Sequence, residues 1–338
     1  MAGLMGQRMT SEATPKRRKR GPVRVVCVGE TMLMFAPPRY ELIEHCVQFG
    51  SYSGGAESNV AMGLARLGVP AGWIGKLPRN ALGRKVVNEI RAYGVDTSAV
   101  IWAEEGRVGT FFVEWGAHPR PLMTIYDRAN SAATTMVADD LDWDYVAGAQ
   151  WLHLTGITPA LSATCRASTR EIAARTRALG LKVSFDVNYR SLLWTEEEAR
   201  LACREILPFV SLLITTESDA AVLLAADLGR VEALRRMFQD HSHEAVVMTL
   251  GGEGSMAYDG ERVYTSPGRA VEVVNRLGAG DAFDAGLLFG YLESGLQAGL
   301  DYGGAMAALK MTIPQNTPLV NREDLDRLLS GRSLDLLR

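Results

Sequence analysis

The segment Val273–Phe283 places a glycine-rich turn between a short β-type run and an apolar helix. In this turn Gly278, Ala279 and Gly280 stand directly before Asp281. Backbone N–H groups of such a turn converge at the helix N-terminus, where the helix dipole also favours an anion. The turn would hold the negative charge of a transferring phosphoryl group, with Asp281 placed as general base for an attacking hydroxyl. An ordinary helix start with an N-terminal aspartate is the competing interpretation.

A second glycine-rich turn lies upstream, where the strand-like run 246–250 leads into Gly251, Gly252 and Gly254. Glycines at these positions allow a nucleotide to approach the backbone closely. A hairpin turn leading into 255–258 explains the same residues. Neither glycine-rich turn matches the Walker-type phosphate loop or the dinucleotide-binding fingerprint, so the two folds that carry those motifs are disfavoured.

Strand-like and helix-like segments alternate along most of the chain. The almost continuous β-branched run Val23–Val28, ended by Gly29, suits a strand buried on both faces of a parallel sheet. Helical spacing over Asn59–Leu67 ends at Gly68, where a C-cap glycine belongs. The alternation continues over 71–75, 82–93, 151–154, 166–179, 182–186, 196–207, 212–215 and 245–250. It predicts an α/β fold with right-handed crossovers and a parallel sheet covered on both sides.

Two stretches, 32–53 and 107–130, interrupt this alternation with short alternating or aromatic runs. They predict antiparallel strands that form an accessory β-layer, placed to act as a lid on the main domain. We expect one folded domain over 23–338 that includes this lid. Residues 1–22, with the basic run Lys16–Arg20, lack hydrophobic periodicity and are expected to form a disordered leader.

The composition is that of an ordinary globular protein, with 47% hydrophobic and 22% charged residues. The formal net charge of -3 gives no field that favours nucleic acid. No stretch approaches the roughly 18 consecutive apolar residues that span a bilayer, and the N-terminus lacks the apolar core of a signal peptide. The four cysteines form no Cys-x-x-Cys pair, so neither a zinc site nor a disulfide framework is indicated. We expect a cytoplasmic enzyme without nucleic-acid or membrane partners.

Two further segments, Ser53–Ala61 and Gly63–Gly68, resemble the N-terminal signature of the PfkB (ribokinase-like) carbohydrate kinases, and Gly278–Asp281 resembles their C-terminal signature. The resemblance runs over Val23–Leu329. It implies a ribokinase-like three-layer fold with a mainly parallel central sheet and a small β-sheet lid. It also implies phosphorylation of a sugar hydroxyl by ATP with Mg²⁺, in which Gly278–Asp281 supplies the anion hole and the catalytic base.

Within that family, the chain resembles the 2-keto-3-deoxygluconate kinases. The likeness rests on Tyr126–Ala133, on Phe185–Arg190 with Leu193–Trp194, and on Ala308–Lys310 with Ile313–Pro314. It implies a substrate site lined by Gly54, Asn59, Tyr126, Arg128 and Arg190. A bidentate guanidinium suits a carboxylate or clustered phosphate oxygens, so the two arginines predict an acidic substrate. Arg190 also follows a predicted strand, at the edge where open α/β sheets bind ligands.

We assign the nucleotide site to Asn188, Thr216, Thr249, Gly251, Gly252 and Gly254. The chain has Thr216–Asp219 where the family often has Asn-x-x-Glu, so the acidic end is kept and the asparagine is lost. Glu217 or Asp219 would then orient a hydrated Mg²⁺ through water. Phe111 stands where some ketodeoxygluconate kinases have a tyrosine, which removes one substrate hydrogen bond.

Other functions of the same fold remain as alternatives: a fructokinase, a 5-dehydro-2-deoxygluconokinase or a nucleoside kinase. The arginine pair argues against the neutral substrates. A catalytically inactive PfkB-like binding module is a further alternative, and the intact Gly278–Asp281 turn argues against it. The lid is in addition a candidate surface for a homodimer.

Overall fold

The computed structural model describes residues 23–38, 40–241 and 243–331. The predicted leader 1–22 and the last residues of the predicted domain, 332–338, lie outside this part of the chain. The strands are β1 Val25–Val28, β2 Met32–Ala36, β3 Gly50–Gly54, β4 Ala71–Ile74, β5 Lys76–Pro78, β6 Ile101–Ala103, β7 Thr110–Glu114, β8 Met123–Asp127, β9 Trp151–Thr155, β10 Lys182–Asp186, β11 Leu212–Thr216, β12 Ala245–Thr249, β13 Gly254–Tyr258 and β14 Val263–Pro267. The helices are α1 Ala56–Arg66, α2 Ala81–Ala92, α3 Trp143–Ala147, α4 Ile157–Ala160, α5 Ala163–Ala178, α6 Glu196–Ile206, α7 Glu217–Leu224, α8 Arg230–Asp240, α9 Ala279–Ser294, α10 Leu296–Met311 and α11 Arg322–Leu329.

The main sheet has eight strands in the order β14-β13-β12-β11-β10-β9-β1-β4. The strands from β12 to β4 pair in parallel, and β13 and β14 extend the sheet as an antiparallel hairpin. Strand β1 is buried throughout: Val25 and Cys27 belong to the core on one face, and Val26 and Val28 to the core on the other. The prediction of a mainly parallel sheet covered on both sides is confirmed.

Each face of this sheet packs on its own set of helices. Helices α1, α9 and α10 contribute to one hydrophobic core, and α5, α6 and α8 contribute to the other. In the described part of the chain, no helix combines the length and the apolar character that crossing a membrane requires.

The predicted start of the first helix at Asn59 is wrong, because α1 begins at Ala56. Glu57 and Ser58 lack the apolar character that marks a buried helix face, yet both are fully buried. The hydroxyl groups of Thr155 and Thr158 both donate to Glu57 Oε1 at 2.8 Å, which satisfies one of the two carboxylate oxygens. Tertiary partners, rather than periodicity, therefore extend the helix.

The lid is a separate four-stranded sheet in the order β3-β2-β7-β8. The strands of each predicted stretch pair with each other in antiparallel fashion, as expected, but the central pair β2 and β7 is parallel. The prediction of a purely antiparallel lid is wrong on this point. Several elements of the main domain separate β3 from β7, so β7 is not tied to β2 by a tight turn that would impose the antiparallel direction. The buried face of the lid packs against Leu277, next to the glycine-rich turn.

Candidate active site

The turn Gly278–Asp281 begins helix α9, as predicted. Gly278 is the N-cap residue and has a left-handed φ of +79°, which a glycine adopts without strain. A Cβ atom at Gly278 would also lie only 2.0 Å from the carbonyl oxygen of Asn316, so no other residue fits there. At Gly280 no atom lies within 4 Å of the corresponding Cβ position, which leaves open space beside the helix N-terminus. The turn can therefore receive an anion.

Asp281, the third residue of α9, is buried and is held by the neighbouring helix α1. Asn59 Nδ2 donates to Asp281 Oδ2 at 2.6 Å. Burial raises the pKa of Asp281 above its usual range, while the Asn59 hydrogen bond and the charges of Arg190 and Lys310 act in the opposite direction. The carboxylate is thus oriented and partly compensated, as a general base requires.

Two more carboxyl groups lie behind Asp281. Asp284 follows Asp281 by one helical turn and is buried. Burial and then the charges of Asp186 and Asp281 raise the pKa of Asp284 well above its usual range, and a hydrogen bond with Asp186 adds to the rise. Asp186, at the end of β10, has a pKa raised to about 7, chiefly by burial and then by the charges of Asp219 and Asp281. Near neutral pH these carboxyl groups are therefore not all ionised, which weakens the electrostatic repulsion between them and Asp281.

The lid supplies the predicted substrate residues Gly54 and Tyr126. A Cβ at Gly54 would lie 2.8 Å from the ring of Phe111 and 3.0 Å from Asn316 Nδ2. The glycine therefore lets the backbone of β3 approach both side chains closely. Tyr126 stacks on Phe111, with ring centroids 5.5 Å apart. Asn316 Nδ2 also donates to the carbonyl of Ser53 at 3.2 Å, which ties this part of the lid to the segment that contacts Gly278.

Arg128 is partly buried and forms an ion pair with Glu30. Its Nε donates to Glu30 Oε2 at 2.9 Å, and its Nη2 donates to the same oxygen. Ser131 Oγ donates to the other Glu30 oxygen at 2.7 Å, and the guanidinium lies 5.7 Å from the centroid of the Tyr126 ring. Because this charge is already compensated, Arg128 offers a substrate anion less attraction than a free arginine would.

Arg190 is exposed and follows β10 at the carboxyl edge of the sheet. Its charge lowers the pKa of Asp281, Asp186 and Asp219, so the guanidinium lies within electrostatic reach of all three. Among the residues that the structure describes, no carboxylate forms an ion pair with it. Of the two predicted arginines, Arg190 is the one that remains available to an anionic ligand.

The predicted nucleotide residues lie at the carboxyl ends of β10, β11 and β12 or in the segments directly after them. Thr216, Thr249 and Gly251 line one cavity of about 590 Å³, together with Glu217. No atom lies within 4 Å of the Cβ positions of Gly251 and Gly252. These residues therefore border space that a ligand can enter.

Two of the predicted nucleotide residues have evident structural roles. Gly254 has φ +113° and would collide with the Ser266 carbonyl if it carried a side chain, so it is required by the β13–β14 hairpin. Asn188 has φ +40°, and its backbone N–H donates to Asp186 Oδ1 at 3.3 Å. The hairpin interpretation of the second glycine turn is confirmed, because β12 pairs with β13 in antiparallel fashion across it. The hairpin does not exclude nucleotide contacts at Gly251 and Gly252.

The predicted magnesium residues are both engaged with the protein. Glu217 forms an ion pair with Arg230 at 2.6 Å, and Arg230 also pairs with Glu253 at 2.8 Å. Asp219 is buried, and its Oδ2 accepts from the backbone N–H of Tyr189 at 3.3 Å. Within 23–38, 40–241 and 243–331, no cluster of three or more His, Cys, Asp or Glu side chains is suited to enclosing a metal ion. The donor set fits a hydrated ion carried by a nucleotide rather than a dedicated metal cage.

Three residues near the site were not assigned a role from the sequence: Glu30, Lys310 and Asn316. Glu30 follows the first strand, and that position at the sheet edge was a usable signal. Lys310 is the basic residue in the last turn of the largely apolar helix α10, which is an unusual place for a buried charge. Asn316 lies in an irregular segment, where no local pattern marks it.

Comparisons with known proteins find similar sequences and similar folds. A sequence profile described as pfkB family carbohydrate kinase matches residues 23–318. The 2-dehydro-3-deoxygalactonokinase of Haloferax volcanii is 39% identical over 309 residues, which are 91% of this chain and 96% of that protein. The crystal structure of 2-dehydro-3-deoxygluconokinase from Thermotoga maritima superimposes with a TM-score of 0.87 at 31% identity, covering 92% of this chain and 99% of that one. The crystal structure of a candidate ribokinase II from E. coli in complex with ATP and Mg²⁺ superimposes with a TM-score of 0.83 at 21% identity. The match covers 92% of this chain and 100% of that one.

Proposed function

The chain belongs to the PfkB family of carbohydrate kinases, and on that basis we propose that it transfers the γ-phosphoryl group of ATP to a hydroxyl of 2-keto-3-deoxygluconate. The observation that carries the proposal is the buried Asp281 carboxylate at the start of α9, held by Asn59 at 2.6 Å beside an open glycine turn. This arrangement contains both the base and the anion site that phosphoryl transfer to an alcohol needs.

In the proposed mechanism, Asp281 removes the proton from the acceptor hydroxyl as that oxygen attacks phosphorus. Asn59 keeps the carboxylate pointed at the acceptor. The backbone N–H groups of Gly278–Asp281 stabilise the charge that develops on the phosphoryl oxygens. ATP supplies the phosphoryl group, and Mg²⁺ would neutralise part of the charge on its β- and γ-phosphates.

Support for ATP and Mg²⁺ comes from two directions. The open space beside Gly251, Gly252 and Gly280 fits a phosphate chain that approaches the backbone. The related fold from E. coli holds ATP and Mg²⁺. We propose that Asp219 orients the hydrated ion through water, and that Glu217 contributes once it is released from Arg230.

We expect no turnover in the presence of a chelator in excess over Mg²⁺, because no phosphate-loop lysine offsets the nucleotide charge.

The sugar acid is proposed from the free guanidinium of Arg190 and from the names of the relatives. A carboxylate bound by Arg190 through charge-assisted hydrogen bonds gains about 1.5–3 kcal/mol, which a neutral sugar does not. The galactonate epimer is the second candidate, because the Haloferax relative at 39% identity is named for it. The two acids differ in the configuration of one carbon, so Arg190 serves either equally.

The test compares kcat/KM for 2-keto-3-deoxygluconate, its galactonate epimer, 5-dehydro-2-deoxygluconate and fructose. We expect an acid to exceed fructose roughly 10- to 100-fold in the wild type, and Arg190→Ala to remove most of that gap. Arg128→Ala is best combined with Glu30→Gln, because the single change leaves a buried carboxylate uncompensated. A preference for fructose would contradict the sugar-acid proposal, and the absence of any phosphorylation would favour a binding module.

A further inference from the structure

Lys310 is a buried cation that the mechanism above does not use. It lies in the last turn of α10, the helix that packs most extensively on α9, and it is 0% exposed. Burying an ammonium group away from water is costly unless it is compensated. Its Nζ donates to the carbonyl oxygen of Asn275 at 3.1 Å, and in the described part of the chain that is its one hydrogen bond. Two of the three ammonium protons therefore have no acceptor there.

The position of this lysine relates it to the anion-binding turn. Asn275 lies three positions before Gly278, and its own side chain accepts from the backbone N–H of Leu277 at 2.9 Å. A Cβ at Gly278 would lie 3.5 Å from Lys310 Cε, so the end of the lysine side chain lies directly against the turn. The lysine and Asp281 also sense each other, since the charge of Lys310 lowers the pKa of Asp281.

We propose that Lys310 is a positioning residue of the phosphoryl-transfer site, which holds the Asn275–Gly278 segment and places a fixed positive charge beneath the anion-binding turn. The inference rests on the proposed function of that turn. A positive charge in a site shielded from water stabilises developing phosphoryl charge far more than the same charge would in water. It also favours the ionised form of the Asp281 base.

The charged groups around this pair fix the expected pH dependence. Asp281 is the titratable group whose charge acts on Lys310, and burial lowers the lysine pKa to about 8. The charged or titratable neighbours of Asp281 are Glu57, Asp186, Asp284, Arg190 and Lys310 itself. In a variant that lacks the lysine charge, Asp281 binds its proton more tightly. The acid limb of the kcat profile therefore moves to higher pH in that variant. An alkaline limb near the lysine pKa is expected in the wild type.

Three substitutions separate charge from simple anchoring. Lys310→Met removes both the charge and the donor, Lys310→Gln keeps an N–H donor without the charge, and Lys310→Arg keeps the charge. We expect turnover to fall roughly 30- to 100-fold in the Met and Gln variants, with KM values within about threefold and the acid limb at higher pH. The Arg variant should retain more turnover and lose the alkaline limb, because a guanidinium does not deprotonate in this range.

Lys182→Met is the matched control, because Lys182 begins β10 at the opposite edge of the sheet and pairs with Glu244. Thermal unfolding checks that each variant is folded, and Lys310→Gln remains informative if Lys310→Met is not. Wild-type turnover and an unchanged acid limb in Lys310→Gln would overturn the inference and leave Lys310 a structural anchor. The proposed function is tested separately by Asp281→Asn, since high turnover in that variant would overturn the base assignment whatever the lysine variants do.

Discussion

Asp281 owes its geometry to a residue that is 222 positions away in the chain, Asn59. Burial raises the pKa of the Asp281 carboxyl, and the amide hydrogen bond works against that rise. A base that is too strongly protonated cannot accept a proton, and one that is too well solvated is a weak base. The amide of Asn59 therefore has a chemical role besides a geometric one.

Asn59→Ala should lower turnover roughly tenfold and move the acid limb of the kcat/KM profile to higher pH. The sign follows because the lost hydrogen bond stabilised the ionised carboxylate, so the pKa of Asp281 rises when it is removed. The loss of activity should accordingly be larger at pH 6 than at pH 8. Asn80→Ala is the control, since Asn80 caps α2 and should affect stability without moving the profile. An acid limb that does not move in Asn59→Ala would contradict this role.

At the scale of elements, the glycine turn depends on close contact between segments as much as on its own sequence. Gly278 and Gly180 have the same φ of +79°, but only Gly278 faces a neighbouring backbone atom, the Asn316 carbonyl. A substitution at Gly180 therefore measures the cost of the left-handed conformation alone. A substitution at Gly278 measures that cost together with a steric collision.

Gly180→Ala should cost about 1–2 kcal/mol of unfolding free energy, the usual penalty of a left-handed conformation. Gly278→Ala should cost more, because its Cβ would lie 2.0 Å from the Asn316 oxygen, and it should also abolish most turnover by displacing the turn. Denaturant unfolding and kcat measured on both variants check this. Equal stability losses would show that the Asn316 segment yields without cost.

The elements themselves were largely predictable, because a parallel sheet buried on both faces leaves apolar runs such as β12, predicted over 245–250 and observed over Ala245–Thr249. The glycine turn at the start of α9 was predictable because its backbone conformation lies in one local motif, and the base role of Asp281 stays a prediction. The Arg128–Glu30 ion pair and the Asn316 contacts were not, since they join segments that are remote in the chain. The parallel pairing of β2 with β7 was missed for the same reason. The assigned substrate and nucleotide roles stay predictions.

At the scale of the whole molecule, the lid exposes an edge strand with apolar side chains. Met123 and Ile125 on β8 are 49% and 52% exposed, and β8 has no further strand beside it in the described part of the chain. Unpaired edges of this kind favour association with another chain. We therefore retain the hypothesis of a homodimer through the lid.

Sedimentation analysis should find a wild-type dimer that the double substitution of Met123→Glu and Ile125→Glu dissociates, because the new charges would be desolvated in the interface. Leu201→Glu is the control, since Leu201 is also half exposed but lies on α6, outside the lid. A monomeric wild type, or a double variant that remains dimeric, would exclude this interface.

The central claim is that Asp281 is the base of a sugar kinase, and turnover of Asp281→Asn tests it most directly. The measurement is kcat at saturating ATP, Mg²⁺ and 2-keto-3-deoxygluconate, with nucleotide affinity and thermal stability measured in parallel. Asp144→Asn, on the exposed surface of α3, serves as the matched control. We predict that kcat of Asp281→Asn falls roughly 10²-fold or more while affinity and stability stay close to the wild type. Turnover within a few-fold of the wild type would assign the base to another group and contradict the account.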